Sequence, residues 1–283
     1  MAKIGLVLSG GMVKGAYQIG VLKALKKYVK SEDITYISAS SIGTLAAYSY
    51  MCDRLDILEK LWLNNESFNI RNFLRSAVKR SNILDKVSDL VSDSEKINKD
   101  FFITCLNMTK MKLDYINLKG INVNEIEKYL KAAISFIPVF KAIEINGIKY
   151  LDGAIVDNIP VLPLTDKECD YIIVVHFDKN KYIYQNLDNK NIIELNFNIE
   201  SSISSSLSFD QESSKNMMTT GYNYADETFS YIFKNGINEI EYISECIKEI
   251  NLNSEKEKYN MSGDIAIDTL NSIAKKIIRY NVK

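Results

Sequence analysis

The hydrophobic positions near the start of the chain change from a strand pattern to a helix pattern. Ile4 to Leu8 is a short, uninterrupted apolar run that ends at Ser9-Gly10-Gly11, which is typical of a strand buried on both faces of a parallel sheet. From Val13 onward, apolar residues recur every three or four positions with lysines between them, which predicts a helix. A second strand over Ile34 to Ser38 and a buried helix over Ile42 to Met51 follow. This order favours a parallel sheet whose strands are joined by crossover helices.

In the rest of the chain, the pattern of apolar residues predicts further strands, one hairpin, and helices toward the carboxyl terminus. The predicted strands are Phe101–Met108, with Leu113–Leu118 as its hairpin partner or continuation, Ala142–Ile145, Ile148–Leu151, Tyr171–Phe177 and Ile192–Phe197. The predicted helices are Ile126–Ala133, with Asn122 or Asn124 as cap, Met217–Phe233, Ile237–Ile250 and Ile265–Ile278. Asn146-Gly147 between two of the strands is a strong hairpin turn signal. We therefore expect a single α/β domain over residues 1–283, with a core of about 3–200 and a helical extension of about 210–283.

Two segments resist assignment from their pattern. Residues 54–118 contain helix-like and strand-like stretches, and their Trp62 and Phe68 fit either a core or an inserted lid. The serine cluster 201–208 is loop-like. The order of elements in these two segments stays open at this stage.

Composition excludes several classes of protein. The 283 residues carry 35 basic and 36 acidic side chains, so the net charge of −1 gives no support for a nucleic-acid surface. No apolar run approaches the ~18 residues that a membrane span needs. With a single histidine, His176, a two-histidine metal site is impossible within one chain, and any Ser-His-Asp triad must use that residue. The four cysteines are dispersed and the first residues lack a signal-peptide pattern, so we expect a cytoplasmic protein.

The first candidate site is the turn Ser9-Gly10-Gly11-Met12-Val13-Lys14-Gly15, between a strand and a helix. Such a turn can direct several backbone N–H groups at an anion, either a phosphate or an oxyanion that exists only in a transition state. Phosphate fits poorly, because Ala16-Tyr17 follows Gly15 where a P-loop needs Lys-Ser/Thr, and Met12 replaces the second glycine of a dinucleotide fingerprint. A purely structural tight turn is the alternative.

The second candidate site is Ser38-Ala39-Ser40-Ser41-Ile42-Gly43, which follows a strand and precedes a helix of small residues. This is the setting of a nucleophile elbow, G-x-S-x-G, with Ala39 in place of the first glycine. Small neighbours allow the serine to take a strained conformation and project outward. The alternative is that Ser40 or Ser41 only caps the helix.

The third candidate site is Asp152-Gly153-Ala154, just after the predicted hairpin. Asp-Gly is ordinarily a turn. An aspartate can also accept the proton of a serine nucleophile if it lies within hydrogen-bond reach and is partly desolvated. The alternative base is His176, although a histidine at the end of a strand is more often structural.

Together the three sites resemble the patatin-like phospholipase family. Its members have a glycine-rich G-G-x-x-[RK]-G turn after the first strand, a G-x-S-x-G elbow about thirty residues later, and a D-G-[GA] motif further on. The matching segments here are Gly10–Gly15, Ala39–Gly43 and Asp152–Ala154, with flanking matches at Gly15-Ala16-Tyr17, Gly20-Val21-Leu22 and Asp157-Asn158-Ile159-Pro160. The resemblance covers roughly residues 3–180. It departs from the family at Ala39 and at Met12, where many relatives have glycine.

The resemblance implies a three-layer α/β/α sandwich around a mainly parallel sheet, and a hydrolase that cleaves acyl esters of lipids, with phospholipid or lysophospholipid as substrate. Ser41 would be the nucleophile and Asp152 the base, and the backbone N–H groups of Gly10, Gly11 and Met12 would form the oxyanion hole. Supporting positions are Lys14, Gly15, Gly43 and Gly153. No metal or organic cofactor is implied, and we expect transient contact with a membrane surface and no nucleic-acid partner.

Two alternatives come from other functional classes. The departures at Ala39 and Met12 leave room for a catalytically silent member that binds lipid or regulates another protein. A nucleotide-binding protein that uses the glycine turn is a weaker alternative.

Overall fold

The computed structural model describes residues 1–63, 68–69, 82–91, 97–137, 140–178, 191–197, 208–209 and 211–252. The helices are α1 Gly15–Leu25, α2 Ile42–Met51, α3 Leu55–Leu63, α4 Asn82–Leu90, α5 Val123–Ala133, α6 Gln211–Ile232 and α7 240–252. The strands are β1 Ile4–Leu8, β2 Ile34–Ala39, β3 Phe68–Asn69, β4 Asp100–Asn107, β5 Lys112–Asn117, β6 Ile143–Ile145, β7 Ile148–Asp152, β8 Tyr171–His176, β9 Asn191–Asn196 and β10 Ser208–Phe209. Residues Met1–Ile240 form one compact unit and Glu241–Lys283 form a second, of which the structure describes helical residues up to 252.

One sheet contains eight of the described strands. Its order is β6-β7-β4-β2-β1-β8-β9, and β5 pairs with β4. Strands β4, β2, β1, β8 and β9 run parallel, whereas β5, β7 and β6 join antiparallel at one end. Every residue of β1 and of β8 is buried, as expected for central parallel strands with apolar sequences. The mainly parallel α/β fold predicted from the sequence is confirmed.

Layers of the sandwich are built from both helices and loops. Helix α2 packs against β1 and β2, α5 packs against β4 and β7, and α1 packs against both α2 and α6. The Val7 and Val174 side chains form a cluster with Ile159, Val161 and Leu164, so this part of the sheet is covered by a loop and the 3₁₀ turn Leu162–Leu164. Among the described residues, no helix is both long enough and apolar enough to cross a bilayer.

Several local predictions are confirmed by backbone geometry. The β6–β7 hairpin turns at Asn146 and Gly147, whose φ values of 51° and 79° are those that a two-residue hairpin turn requires. Asn122 caps α5, because its side chain accepts the backbone N–H of Glu125 at 3.0 Å. Strand β5 is the antiparallel hairpin partner of β4.

Other predictions need correction or fall outside the described residues. Helix α6 begins at Gln211, before the predicted Met217, because its polar first turn lacks the apolar period that the prediction used. Trp62 is buried and its indole N–H donates to the carbonyl oxygen of Val13, so this residue belongs to the core and not to a lid. Residues 201–207 and the predicted helix over 265–278 lie outside the described residues, whereas Ser208–Phe209 pairs with Phe68–Asn69.

Helices α1 and α6 approach each other through two glycines. A Cβ atom on Gly20 would lie 2.0 Å from the carbonyl oxygen of Met218, and a Cβ on Gly221 would lie 2.3 Å from the carbonyl oxygen of Tyr17. Both obstructing atoms belong to the backbone, so they can move only if the helices separate. This contact fixes the position of α1, whose first residue follows the glycine-rich turn.

We predict that Gly221→Ala destabilises the protein. At an unobstructed helix position the same change would stabilise by about 1 kcal/mol through helix propensity. Here we expect the free energy of unfolding to fall by roughly 1–3 kcal/mol, because the new methyl group forces the helices apart. Denaturant titration measures this change, with Thr220→Ala on the exposed side of α6 as the control. A Gly221→Ala variant as stable as the parent would contradict the close contact.

Candidate active site

The carboxyl ends of three parallel strands meet at one edge of the sheet. Leu8, the last residue of β1, lies beside Ala39 of β2 and beside Val175 of β8. The segments that follow these strands, Ser9–Gly11, Ser40–Ser41 and Phe177–Asp178, are therefore neighbours. In open α/β sheets this edge is where ligands bind.

Strand β4 brings the third motif to the same place. Its first half pairs with β2 in parallel, with Ile103 beside Ala39, and its second half pairs with β7 in the antiparallel sense, with Cys105 beside Asp152. The carboxyl ends of β2 and β7 therefore approach each other along β4, on either side of the buried Thr104. This arrangement joins the elbow to the Asp-Gly segment across 111 positions of sequence.

Ser41 has the backbone of a nucleophile elbow. Its φ of 48° and ψ of −129° are a conformation that residues with a side chain rarely adopt, and strain of this kind costs on the order of 1–3 kcal/mol. Although Ser41 occupies the N-cap position of α2, its side chain makes no capping hydrogen bond. Its hydroxyl instead donates to Oδ2 of Asp152 at 2.6 Å. The capping alternative for Ser41 is therefore wrong.

The Asp152 carboxylate accepts hydrogen bonds from a backbone turn and from Ser41 at the same time. Its Oδ1 accepts the backbone N–H of Ala154 at 2.9 Å, which caps the 3₁₀ turn Gly153–Ile155, while its Oδ2 accepts the Ser41 hydroxyl. Burial raises the pKa of the Asp152 carboxyl from its ordinary 3.8 to about 6, and the two hydrogen bonds partly offset that rise. The carboxylate is thus buried, held by both oxygens, and more basic than usual.

The glycine-rich turn lies against the elbow. The Gly10 N–H donates to the carbonyl oxygen of Asn158 at 3.2 Å, which ties the turn to the loop after Asp152. Within the part of the chain that the structure describes, the N–H groups of Gly11 and Met12 have no acceptor. Met12 has a φ of 52°, so it takes the left-handed conformation that a third glycine would adopt freely. Gly11 and Met12 line the same cavity as Ser41.

Small residues are needed here because backbone and side chains approach closely. A Cβ on Gly10 would lie 2.9 Å from the Cβ of Ser41, and one on Gly43 would lie 2.5 Å from the carbonyl oxygen of Ser9. Gly153 approaches the backbone of Thr104 in the same way, and Gly15 approaches Trp62 and Ile42. A Cβ atom at any of these four positions would force neighbouring atoms to move, and at Gly43 and Gly153 those atoms include backbone.

A cavity of about 540 Å³ opens beside the Ser41–Asp152 pair. Leu106, Phe136 and Leu151 form apolar walls, and the glycine-rich turn forms part of its lining. Lys14 also lines the cavity, with its ammonium group 5.8 Å from the centre of the Phe177 ring. The cavity has the size and predominantly apolar lining of a small-ligand site.

A buried polar network lies behind the elbow, and sequence reasoning missed part of it. The Ser40 hydroxyl is 2.7 Å from the Thr104 hydroxyl and donates to the carbonyl oxygen of Asp157 at 3.1 Å. The Asp157 carboxylate accepts the Tyr115 hydroxyl at 2.6 Å. Thr104 is a buried hydroxyl within the otherwise apolar run of β4, which is the signal that could have identified it; Tyr115 has no such signal.

His176 is not positioned next to the serine. It is fully buried, its Nε2 lies 2.7 Å from the Glu194 carboxylate, and its Nδ1 accepts the backbone N–H of Asp178. Both ring nitrogens of His176 are therefore engaged by residues other than Ser41. The structure therefore places Asp152, and not His176, against the Ser41 hydroxyl. Among the described residues, no group of three or more His, Cys, Asp or Glu side chains could hold a metal ion.

Comparison with known proteins identifies the family. The patatin-like phospholipase family model matches residues 6–165, which is more than half of the chain and includes all three motifs. Lysophospholipase NTE1 of Candida glabrata is 26% identical over 192 residues, which cover 61% of this chain and 10% of that protein. Probable lipid hydrolase 463L of Invertebrate iridescent virus 6 is 28% identical over 198 residues, which cover 62% of this chain and 65% of that protein.

Among solved structures, VipD from Legionella pneumophila superimposes with a TM-score of 0.47 and 14% identity, over 80% of this chain and 66% of that one. The family match rests on the sequence model, whose span contains the turn, the elbow and the Asp-Gly segment in their observed order. The chain belongs to the patatin-like phospholipase family.

Proposed function

We propose that this protein hydrolyses acyl ester bonds of lipids through a Ser41–Asp152 dyad. The observation that carries the proposal is the 2.6 Å hydrogen bond from the Ser41 hydroxyl to the buried Asp152 carboxylate. Ser41 has a strained backbone, and its side chain does not cap the helix that follows it. A nucleophile and its base must lie within such a distance for the proton to move as the new bond forms.

In the first step the Ser41 oxygen attacks the ester carbonyl carbon, and its proton moves to Oδ2 of Asp152. The pKa of Asp152, about 6, suits this role, because the carboxylate is ionised at neutral pH and is a stronger base than an exposed aspartate. The backbone contact from Ala154 to Oδ1 keeps the carboxylate oriented while its charge changes.

The oxyanion of the tetrahedral intermediate would be stabilised by the Gly11 and Met12 N–H groups. Gly10 has a different part in this proposal from the one expected from the family: its N–H holds Asn158, and its lack of a side chain lets the turn approach Ser41. Loss of one donor in such a site typically lowers turnover by about 10²–10³.

Collapse of the intermediate breaks the ester C–O bond, and the proton on Asp152 passes to the departing alcohol. Asp152 then accepts a proton from water as the water oxygen attacks the acyl-Ser41 ester. The bond between the acyl carbon and the Ser41 oxygen breaks, the proton on Asp152 returns to that oxygen, and the fatty acid is released. Aspartate thus serves as base in both halves of the reaction, and all proton transfers use one carboxyl group.

Lipid is the proposed substrate class, with phospholipid or lysophospholipid as the specific candidates. The apolar walls Leu106, Phe136 and Leu151 suit an acyl chain, and the names of the two relatives above indicate lipid hydrolysis and lysophospholipid cleavage. We also propose a cytoplasmic location with contact at membrane surfaces. All four cysteines lie among the described residues and none of them is in a disulfide, as is usual in reducing compartments.

We predict that a fluorophosphonate probe labels the wild-type protein and does not label Ser41→Ala. Ester hydrolysis by Ser41→Ala should fall by a factor on the order of 10³ or more, since the nucleophile is lost. Ser40→Ala is the neighbouring control, and its labelled peptide should still carry the adduct on Ser41. Equal labelling of wild type and Ser41→Ala, measured by mass spectrometry, would refute the nucleophile assignment. Absent hydrolysis would instead favour the catalytically silent alternative.

We predict that kcat/KM for ester hydrolysis rises with pH around a midpoint near 6. Below that pH the Asp152 carboxyl is protonated and cannot accept the serine proton. Above that pH the carboxyl is ionised and can accept it. His176→Gln should keep both the midpoint and most of the turnover, whereas Asp152→Asn should abolish turnover. A midpoint that disappears in His176→Gln would assign the base to the histidine.

We predict that the stability of Asp152→Asn relative to wild type increases as pH rises from 4 to 7. The folded-state pKa of about 6 exceeds the ordinary 3.8, so the folded protein binds this proton more tightly and loses stability as pH rises. Between pH 4 and pH 7 the variant should gain up to about 3 kcal/mol over wild type, from about two units at 1.36 kcal/mol each. Urea unfolding at both pH values tests this, and a pH-independent difference would contradict a desolvated carboxyl.

A further inference from the structure

Three aliphatic side chains at the mouth of the cavity are exposed to solvent. Ile155 is 84% exposed, Ile137 is 63% exposed and Val156 is 61% exposed. Ile137 and Ile155 line the cavity, and Val156 follows Ile155 directly. Single exposed aliphatics are normal on a protein surface, but a group of them beside a ligand cavity marks a binding surface. We refer to Ile137, Ile155 and Val156 as the rim.

Both segments of the rim are fastened to Asp152 by backbone hydrogen bonds. The 3₁₀ turn Gly153–Ile155 begins at Asp152, whose Oδ1 accepts the Ala154 N–H, and the Val156 N–H donates to the carbonyl oxygen of Gly153. The segment that leads to Ile137 is held by Ser135, whose carbonyl oxygen accepts the Asp152 N–H at 2.8 Å. Whatever contacts the rim is therefore held at a fixed position relative to the candidate base.

The charged residues of the cavity lining are Lys14, Asp152 and Asp178, and the charged residue next to the rim in the chain faces inward. Asp157, the residue after Val156, directs its carboxylate inward to the Tyr115 hydroxyl. Its negative charge is therefore held away from the exposed side chains. Behind the rim, the apolar walls Leu106 and Phe136 continue the same surface into the cavity.

We propose that the rim inserts between the lipids of a phospholipid surface and so positions the cavity over its substrate. The inference rests on the proposed function, because a lipid ester is the substrate class whose own aggregate presents an apolar phase to the mouth of the cavity. An acyl chain that leaves the aggregate then passes from lipid to the rim and on to the cavity walls without exposure to water. Apolar burial of this kind is the basis of interfacial binding by surface proteins.

The test measures binding to phosphatidylcholine vesicles by sedimentation, with Ser41→Ala as the parent so that the lipid stays intact. In this background the double variant Ile155→Ser, Val156→Ser should bind at least about tenfold more weakly, given the apolar area removed. The control is Leu162→Ser, which removes an aliphatic side chain that is 51% exposed. Leu162 lies in the turn whose Leu164 packs against Gly5 near the amino end of β1, whereas the rim lies at the carboxyl edge. We expect Leu162→Ser to bind vesicles as tightly as the parent does. Raised salt should leave the binding of the parent largely unchanged, since apolar contacts are not screened by ions.

An activity measurement completes the test. In the active protein, Val156→Ser should lower the ratio of vesicle hydrolysis to hydrolysis of a soluble short-chain ester by about tenfold. Equal vesicle binding by the rim variant and Leu162→Ser would overturn the proposal. A rim variant that is a monomer where the parent is a dimer would also overturn it, because the rim would then be a contact between copies of the chain. Because binding is measured without turnover, it is independent of the proposed chemistry. Rim-dependent binding in the Ser41→Ala background, together with a wild-type protein that the fluorophosphonate leaves unlabelled, would support the rim and refute only the proposed chemistry.

Discussion

The candidate site depends on how one side of strand β4 is divided between β2 and β7. Its first half pairs with β2 in parallel and its second half pairs with β7 in the antiparallel sense, so two strands end at the same point, beside Thr104. The hydrogen bond between Ser41 and Asp152 forms across that point. If β7 ran parallel to β4 along the same residues, its amino end would lie beside Thr104, and Asp152 at its carboxyl end would lie further from Ser41.

The site contains several conformations that are unfavourable by themselves. Ser41 and Met12 both have positive φ, and Asp152 is a buried carboxylate whose pKa is raised by desolvation. Such features persist only when the surrounding structure determines the position of each backbone segment. Here the fully buried β1 and β8 hold the turns at one edge, and the glycine contact between α1 and α6 holds the helix that follows the first turn.

The polar network behind the elbow shows how motif residues acquire their setting from outside the motifs. Ser40 contacts Thr104 of β4 and the backbone of Asp157, and Asp157 accepts a hydrogen bond from Tyr115 of β5. The network therefore connects the elbow and the segment after Asp152 to the hairpin β4–β5. Strand β5 belongs to a region whose pattern was ambiguous, so no local signal marked Tyr115 as part of this arrangement.

The sequence by itself determined the features that depend on local burial and local backbone conformation. The uninterrupted apolar runs predicted β1 and β8, and Asn146-Gly147 predicted the hairpin turn, because side-chain period and turn chemistry are properties of neighbouring residues. It could not decide whether Ser41 capped a helix or whether Asp152 only closed a turn. Those questions concern which distant group a side chain contacts. The tertiary structure decided them because it places β2 and β7 end to end along β4. There the Ser41 hydroxyl, which makes no capping hydrogen bond, donates to the buried Asp152 carboxylate.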